Sequence, residues 1–385
     1  MDFGESDEHQ LLRAAVRDIA AGFGHDYFLR RSQEDQKTAE LWQAIANHGF
    51  LAVHLPERYG GGGAGMQELA IVCEETAAQG CPLLLMVVSA AICAELISRL
   101  GTEAQKSEWL PGLVTGEKMA FAITEPDAGS NSHRISTVAR RDGDVYRING
   151  TKTFISGVDE SSRLLVVSRT SVDPDGGARL TLLIVDTNTP GLERSLIPVG
   201  ISAPEKQFML HFDDVVVPVT NRLGDENDGL RLVFFGLNPE RIMSAALAAG
   251  IGRYALDKAS SYARDRSVWG VPIGQHQGIA HPLAGVKVAL ELARLMTAKA
   301  AWLQDHDAES VAAAEAANMA KYAAAEAGLA CLDEAIQTHG GNGMAVDYGL
   351  VDLWGLARLL RIAPVSREMI LNFVSQHSLG LPRSY

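Results

Sequence analysis

The period of the apolar positions changes twice along this chain. Between Leu12 and Phe23 they fall at Leu12, Ala15, Val16, Ile19, Ala20 and Phe23, a three-and-four spacing that lays one apolar stripe along a helix. Leu41, Ile45 and His48 continue the theme up to Gly49, a residue suited to ending a helix. Met66–Ala78 and Leu83–Leu100 read as two more helices, the second closed by Gly101, and another begins at Glu103 before Pro111. From Lys118 to about Pro218 the period drops to two. Thr137 to Ile148 turns at Asp142-Gly143-Asp144, a hairpin signal, and Thr151–Ile155, Leu164–Thr170, Leu180–Asp186 and Gln207–Val217 read as further strands. Asp173–Gly177 is the longest obvious loop. After Asn221 the helical period returns, and Gly229–Ala263, Gly285–Gln304, Ser310–Gln337 and Val351–Val374 predict long helices packed as an antiparallel bundle. The expected plan is α+β: a helical domain over 1–118, a β-barrel or sandwich domain over 119–221 and a four-helix bundle over 222–385.

Composition narrows what such a chain does. Its 385 residues are 47% apolar and 21% charged, which is globular rather than disordered. A formal charge of -13 argues against nucleic acid, whose phosphates call for clustered Lys and Arg, but leaves room for a small phosphorylated ligand held by a few arginines. Cys73, Cys81, Cys93 and Cys331 show neither metal nor disulfide spacing and read as buried thiols of a reducing compartment. The acidic start, Met1 to Glu8, has no signal or transit pattern, and the apolar run Leu83–Ala94 is short of the roughly 20 residues a membrane span needs. A cytoplasmic protein with no membrane contact is expected.

Chemistry concentrates in five places. Phe121-Ala-Ile-Thr-Glu-Pro-Asp-Ala-Gly-Ser130 takes a strand into a turn, where proline stops the ladder and Gly129 permits a tight backbone; Thr124 and Ser130 offer hydroxyls there. Asn149-Gly-Thr-Lys-Thr-Phe-Ile-Ser156 sets an aromatic and a hydroxyl beyond a glycine. Arg264 to Gln277 breaks a helix with cation, aromatic and amide groups. Gln337-Thr-His-Gly-Gly-Asn-Gly343 is a glycine nest fit to hold phosphate through backbone N–H groups. Leu237-Asn-Pro-Glu-Arg241 lies inside a helical pattern. A sixth stretch, Gly60 to Gly65, matches G-x-G-x-x-G, but it follows no strand and opens no βαβ unit, so a flexible connector between helices is expected instead.

In this order the motifs T-E-P-x-A-G-S, N-G-x-K-x-x-I-S, R-x-x-x-G-x-P-I-x-x-x-Q and Q-x-x-G-G-x-G resemble those of the acyl-CoA dehydrogenase family along essentially the whole chain. The resemblance implies FAD between the β domain and the bundle, with its ADP half reaching a neighbouring subunit. By position, Phe121, Ile123, Thr124, Gly129 and Ser130 are similar to the strand and loop that meet the flavin and pyrophosphate, and Phe154 and Ser156 to the pair along the isoalloxazine. Arg266, Trp269 and Gln277, with Gln337, Gly340 and Gly341, match the two halves of the ADP site, and Ser366 and Glu368 match the last flavin contacts. His339 is a further candidate contact, and His133 and Arg134 either meet CoA phosphates or form an exposed turn.

Family chemistry removes an acyl α-proton with a carboxylate while the β-hydrogen leaves as hydride to flavin N5, forming a 2,3-enoyl-CoA. Most members place that glutamate near the C-terminus, where this chain has Pro364. A minority, resembling isovaleryl- and long-chain-specific members, carry it on the helix of the fifth stretch, at Glu240. Its helical neighbours Gly236, Leu237, Met243, Ser244 and Leu247 are small or apolar, which raises a carboxylate's pKa; the competing reading is a surface glutamate paired with arginine. Arg241 matches a residue that reaches the CoA side, and Ser130 is a second candidate for substrate contact. Pro364 also lacks the N–H that relatives direct at the thioester carbonyl, so either Val365 donates in its place or a ribityl hydroxyl of FAD works alone. The expected enzyme passes electrons to an electron-transfer flavoprotein and forms a homotetramer. An acyl-CoA oxidase or flavin monooxygenase relative, or a silent FAD- or acyl-CoA-binding subunit, are the alternatives. Acyl length and branching stay open.

Overall fold

The computed structural model describes residues 4–174 and 176–383; Asp175, in the loop expected at 173–177, and residues 1–3 lie outside the described residues. Asp7–Ala21 (α1) begins where Ser6 Oγ accepts the His9 N–H at 3.2 Å, with Asp7 and Glu8 at the positive end of the helix dipole. Gly24–Gln33 (α2), Ala39–Asn47 (α3) and Met66–Ala78 (α4) follow. The stretch read as one helix up to Leu100 winds as a π-helix over Met86–Ala94 before Glu95–Leu100 (α5), and a Thr102–Gln105 capping box opens Glu103–Val114 (α6).

The glycine stretch before α4 is a packed connector rather than a flexible one. The N–H groups of Gly61, Gly62, Gly63 and Ala64 go to the carbonyls of Pro56, Ala52, Leu55 and Val53, so none is left for a phosphate. A Cβ on Gly61 would stand 2.2 Å from the Leu55 oxygen, which is why glycine is needed there. The first N–H groups of α4 are satisfied from far along the chain: the Asp305 carboxylate accepts from Met66 at 2.6 Å and Gln67 at 3.1 Å.

The middle of the chain forms one eight-stranded sheet. Its strands are Met119–Ala122 (β1), Val138–Asp142 (β2), Val145–Ser156 (β3), Arg163–Val172 (β4), Ala178–Asp186 (β5), Leu192–Ile197 (β6), Gln207–Pro218 (β7) and Arg222–Leu223 (β8). The order is β6-β7-β3-β2-β4-β5-β8, with β1 pairing parallel to β4. The β2–β3 hairpin forms where Asp142-Gly143-Asp144 predicts it. Asn149-Gly150, however, interrupts no strand: β3 runs straight through it with a register shift. Strand β6 carries no sequence signal, because four of its six residues are exposed and leave no alternation.

Beyond the sheet come Gly229–Asp265 (α7), the short hairpin Ser267–Val268 (β9) and Val271–Pro272 (β10), Gln277–Asp307 (α8) and Val311–His339 (α9). Small residues let these helices approach closely, and a Cβ on Gly328 of α9 would lie 2.3 Å from the Ala248 oxygen of α7. The fourth long helix expected over Val351–Val374 is broken into Trp354–Leu359 (α10) and Arg367–Phe373 (α11). Proline at 364 has no N–H and disfavours helical geometry in the residue before it; Ser366 then restarts the helix, its Oγ accepting from Met369 N at 3.2 Å. Buried residues from α1–α4 and α7–α9 form one apolar cluster, so the two helical segments share a core. A second cluster joins α5 and α6 to the sheet, and a third lies within the sheet itself. Among the described residues no helix is long and apolar enough to cross a membrane.

Candidate active site

Strand β1 delivers Phe121, buried, to the start of a compact loop. Glu125 and Ala128 exchange backbone hydrogen bonds at 3.1 and 3.2 Å, and the Thr124 carbonyl accepts from Thr153 at 2.9 Å. Inside the loop the Glu125 carboxylate accepts from Lys152 Nζ at 2.9 Å, from Ser136 N and Oγ at 2.7 Å each, and from Thr137 N at 2.9 Å. Lys152, whose side chain has no solvent exposure, also donates to the Ile123 carbonyl at 2.9 Å. Burial alone would raise the Glu125 pKa, but Lys152 and the hydrogen bonds outweigh it and hold the carboxyl down to about 2. This frame leaves Ile123 and Thr124 half-buried and Gly129 and Ser130 at the surface. Both members of the pair lie in the motifs read from sequence, yet 27 residues apart, and no local pattern says that they meet.

Across this loop, β3 slips register against β7 between Lys152 and Ile155. Phe154 at the slip takes a left-handed φ of +56° and is 59% exposed, a strained and unburied setting for an aromatic. Two residues on, Ser156 Oγ donates to Gln207 Oε1 at 3.0 Å. The β9–β10 hairpin turns through Trp269 and Gly270, both at positive φ as a tight two-residue turn requires, and raises the indole to 88% exposure. Arg266 and Gln277, at either end of this segment, are exposed. Gln337, Gly340 and Gly341 are exposed at the end of α9; Gly340 has a φ of +60°, and a Cβ on either glycine would meet nothing. His339 turns inward instead: its Nδ1 donates to the Ala335 carbonyl at 2.7 Å and its ring stacks on Tyr262 at 4.1 Å, which suits a core histidine. His133 and Arg134 sit exposed on a single 3₁₀ turn.

Glu240 follows Pro239 in the interior of α7. Next to it, Gly236 packs against Ile92 and Leu96 across from the π-helix. Among the described residues the Glu240 carboxylate has no hydrogen bond and no ion pair. Part of its surface is open, but protein crowds it closely enough that burial, opposed by Arg241 and Lys321, pushes its pKa up to about 8. Arg241 is buried and donates to Asn238 Oδ1 at 2.7 Å, while its Nε and the Ser244 hydroxyl one turn from Glu240 lack partners. From α9, buried Lys321 donates to the Val365 carbonyl at 2.5 Å, beside Pro364. Ser366 is engaged in capping α11, and Glu368 in its first turn is exposed. The described residues thus offer a crowded, unpaired carboxylate, outward-facing aromatics, open glycines and a rigid polar loop.

Three family models match in order: the acyl-CoA dehydrogenase N-terminal domain over residues 6–117, the middle domain over 120–215 and the C-terminal domain over 227–379. A Mycobacterium tuberculosis protein named acyl-CoA dehydrogenase FadE12 is 53% identical over 384 residues, covering 100% of this chain and 99% of that protein. Among solved structures, a glutaryl-coenzyme A dehydrogenase in complex with glutaryl-CoA matches with a TM-score of 0.93 and 31% identity, covering 100% of this chain and 98% of that one. Butyryl-CoA dehydrogenase from Megasphaera elsdenii matches with a TM-score of 0.92 and 28% identity, covering 99% of this chain and all of that one.

Proposed function

This chain belongs to the acyl-CoA dehydrogenase family of FAD-dependent oxidoreductases, and we propose that within it Glu240 is the catalytic base that removes the acyl α-proton. The observation that carries this reading is the unpaired carboxylate itself: a closely crowded glutamate without a partner is expensive unless the site uses its proton affinity. A pKa of about 8 makes it a strong enough base for a carbon acid while a useful fraction stays ionised near neutrality.

The surface fits FAD. Phe154 and Trp269 hold aromatic faces outward on left-handed backbone, where burial gives them no reward, and Gly340 and Gly341 leave room that a Cβ would enter without contact. When bound, FAD supplies the acceptor for the β-hydride. Phe121, Ile123, Thr124, Gly129 and Ser130 would form one side of the flavin site, with Phe154 and Ser156 along the ring. Arg266, Trp269, Gln277, Gln337, Gly340 and Gly341 would hold the ADP portion, and Ser366 and Glu368 would close the C-terminal edge. The Glu125–Lys152 pair keeps the first of these loops rigid. Arg241, with Ser130, would orient the CoA thioester. Val365, whose N–H has no acceptor among the described residues, is the donor that replaces proline at 364 toward the thioester carbonyl.

Domain limits at 1–118, 119–221 and 222–385 belong to the same reading. Transfer to an electron-transfer flavoprotein in the cytoplasm, and a homotetramer, complete it. For the tetramer, α8 presents an exposed apolar row of Val288, Leu292, Leu295 and Trp302 that another copy would cover. Anaerobic mixing of Glu240→Gln with a panel of acyl-CoA thioesters tests the proposal. Flavin bleaching that is fast in the parent and lost in the variant supports it; equal bleaching in both overturns it.

A further inference from the structure

Lys321 is buried in the interior of the bundle, 1% exposed, and burial draws its pKa down to about 8 against the pull of Glu240, so its ammonium depends on compensating charge nearby. Of its three donors, one reaches the Val365 carbonyl at 2.5 Å, and among the described residues no carboxylate stands within ion-pair distance. The charges around it are Glu240 and Arg241 from α7, Glu326 from its own helix and Glu368 from α11. Glu326 already serves Arg361 and Arg367, and Glu368 faces solvent. Glu240 is therefore the unengaged carboxylate that shares this enclosed space. Seen from Glu240, the facing groups are Arg241, Lys321 and the Cys93 thiol of the π-helix.

We propose that Lys321 is a positioning residue for proton abstraction: its ammonium ties down the loop after Pro364 through the Val365 carbonyl and supplies the countercharge that Glu240 meets when it ionises. This rests on Glu240 being the base. Donation to the Val365 carbonyl also polarises the N–H of the same peptide, that of Ser366, which like the Val365 N–H has no acceptor among the described residues. One buried side chain thus joins the loop that would hold the thioester to the group that takes the proton. Arg241 also lends positive charge beside Glu240, but among the described residues it makes no bond to the loop after Pro364, so it cannot tie that loop to the base.

The test is the acid limb of kcat/KM against pH in Lys321→Gln, which keeps a donor for Val365 but removes the charge, and in Lys321→Arg, which keeps the charge. The limb moves up by about one pH unit in the glutamine variant, lowering kcat/KM about tenfold near pH 7 and recovering at high pH. The arginine variant keeps the limb in place, whatever it does to the rate. A uniform loss at every pH, with the limb unmoved in Lys321→Gln, would mean a merely structural lysine and overturn the proposal. Should Lys321→Gln not fold, Lys321→Met serves as the neutral variant: a limb displaced upward by about one unit supports the countercharge role, and an unmoved limb contradicts it. A second readout needs no turnover. The Tm difference between Glu240→Gln and its parent, followed against pH, rises along a curve whose upper end moves up by the same unit when Lys321 is neutral. If Glu240→Gln stays active, the base assignment fails, yet this Tm curve still reports whether the two residues are coupled.

Discussion

Glu125 and Glu240 are two enclosed carboxylates with opposite fates. Glu125 receives an ammonium and three hydrogen bonds, and its carboxyl is held down to about 2. Glu240 receives none of these, and burial pushes it up to about 8. Glu125 belongs to the loop after β1, and Glu240 lies within α7. The difference teaches that enclosure alone does not make a base: what matters is whether the surroundings solvate the charge. The satisfied carboxylate builds a rigid loop, and the unsatisfied one keeps an affinity for protons that chemistry can use.

The widest way to break this contrast is to neutralise each carboxylate's role in turn. Glu240→Gln should lower kcat/KM by about 10²–10⁴-fold, measured by steady-state reduction of an artificial electron acceptor, while leaving the fold intact. Lys152→Met should do the reverse, unfolding the loop rather than stopping the proton step. Removing one partner of a buried pair costs about 3–5 kcal/mol, read as a lower denaturant midpoint, and adding Glu125→Gln should recover part of it.

Stability against pH separates the two in sign. Glu125 has a folded pKa below its unfolded value, so its contribution is present above the ordinary carboxylate range and is lost as pH falls toward 2. Glu240 has a raised folded pKa, so the folded state binds the extra proton and stability falls as pH climbs from the ordinary carboxylate range to about 8. Thermal melts should therefore show Glu240→Gln gaining Tm over its parent as pH rises to about 8 and converging with it in mild acid. The smallest effect is expected at Trp269→Ala. Its indole is exposed in the isolated chain, so Tm should hold, while loss of aromatic contact of about 0.5–1.5 kcal/mol should weaken FAD retention up to about tenfold in an equilibrium release assay.

Much of this is legible in the sequence. The helical stripes, the Asp142–Asp144 hairpin and the order of the parts follow from apolar period, because burial on one face imposes that period directly. Glu240 stood out because its helical neighbours are apolar and Pro364 occupies the alternative position. What stayed hidden depends on contacts distant in sequence. The Glu125–Lys152 pair, the Asp305 cap on α4 and the Lys321–Val365 bond each join elements that local pattern treats separately. The shared core of the two helical segments is of the same kind, since both read as self-contained helices. The break between α10 and α11 was available in principle, as proline at 364 cannot continue a helix, but the apolar period on both sides overrode it.

The pH dependence of kcat/KM for the parent enzyme tests most directly whether Glu240 works as the unsolvated base. The rate should rise with pH along a single limb with an apparent pKa of about 8, and the limb should vanish in Glu240→Gln. A limb in the ordinary carboxylate range, or a limb at 8 that survives in Glu240→Gln, would contradict the account.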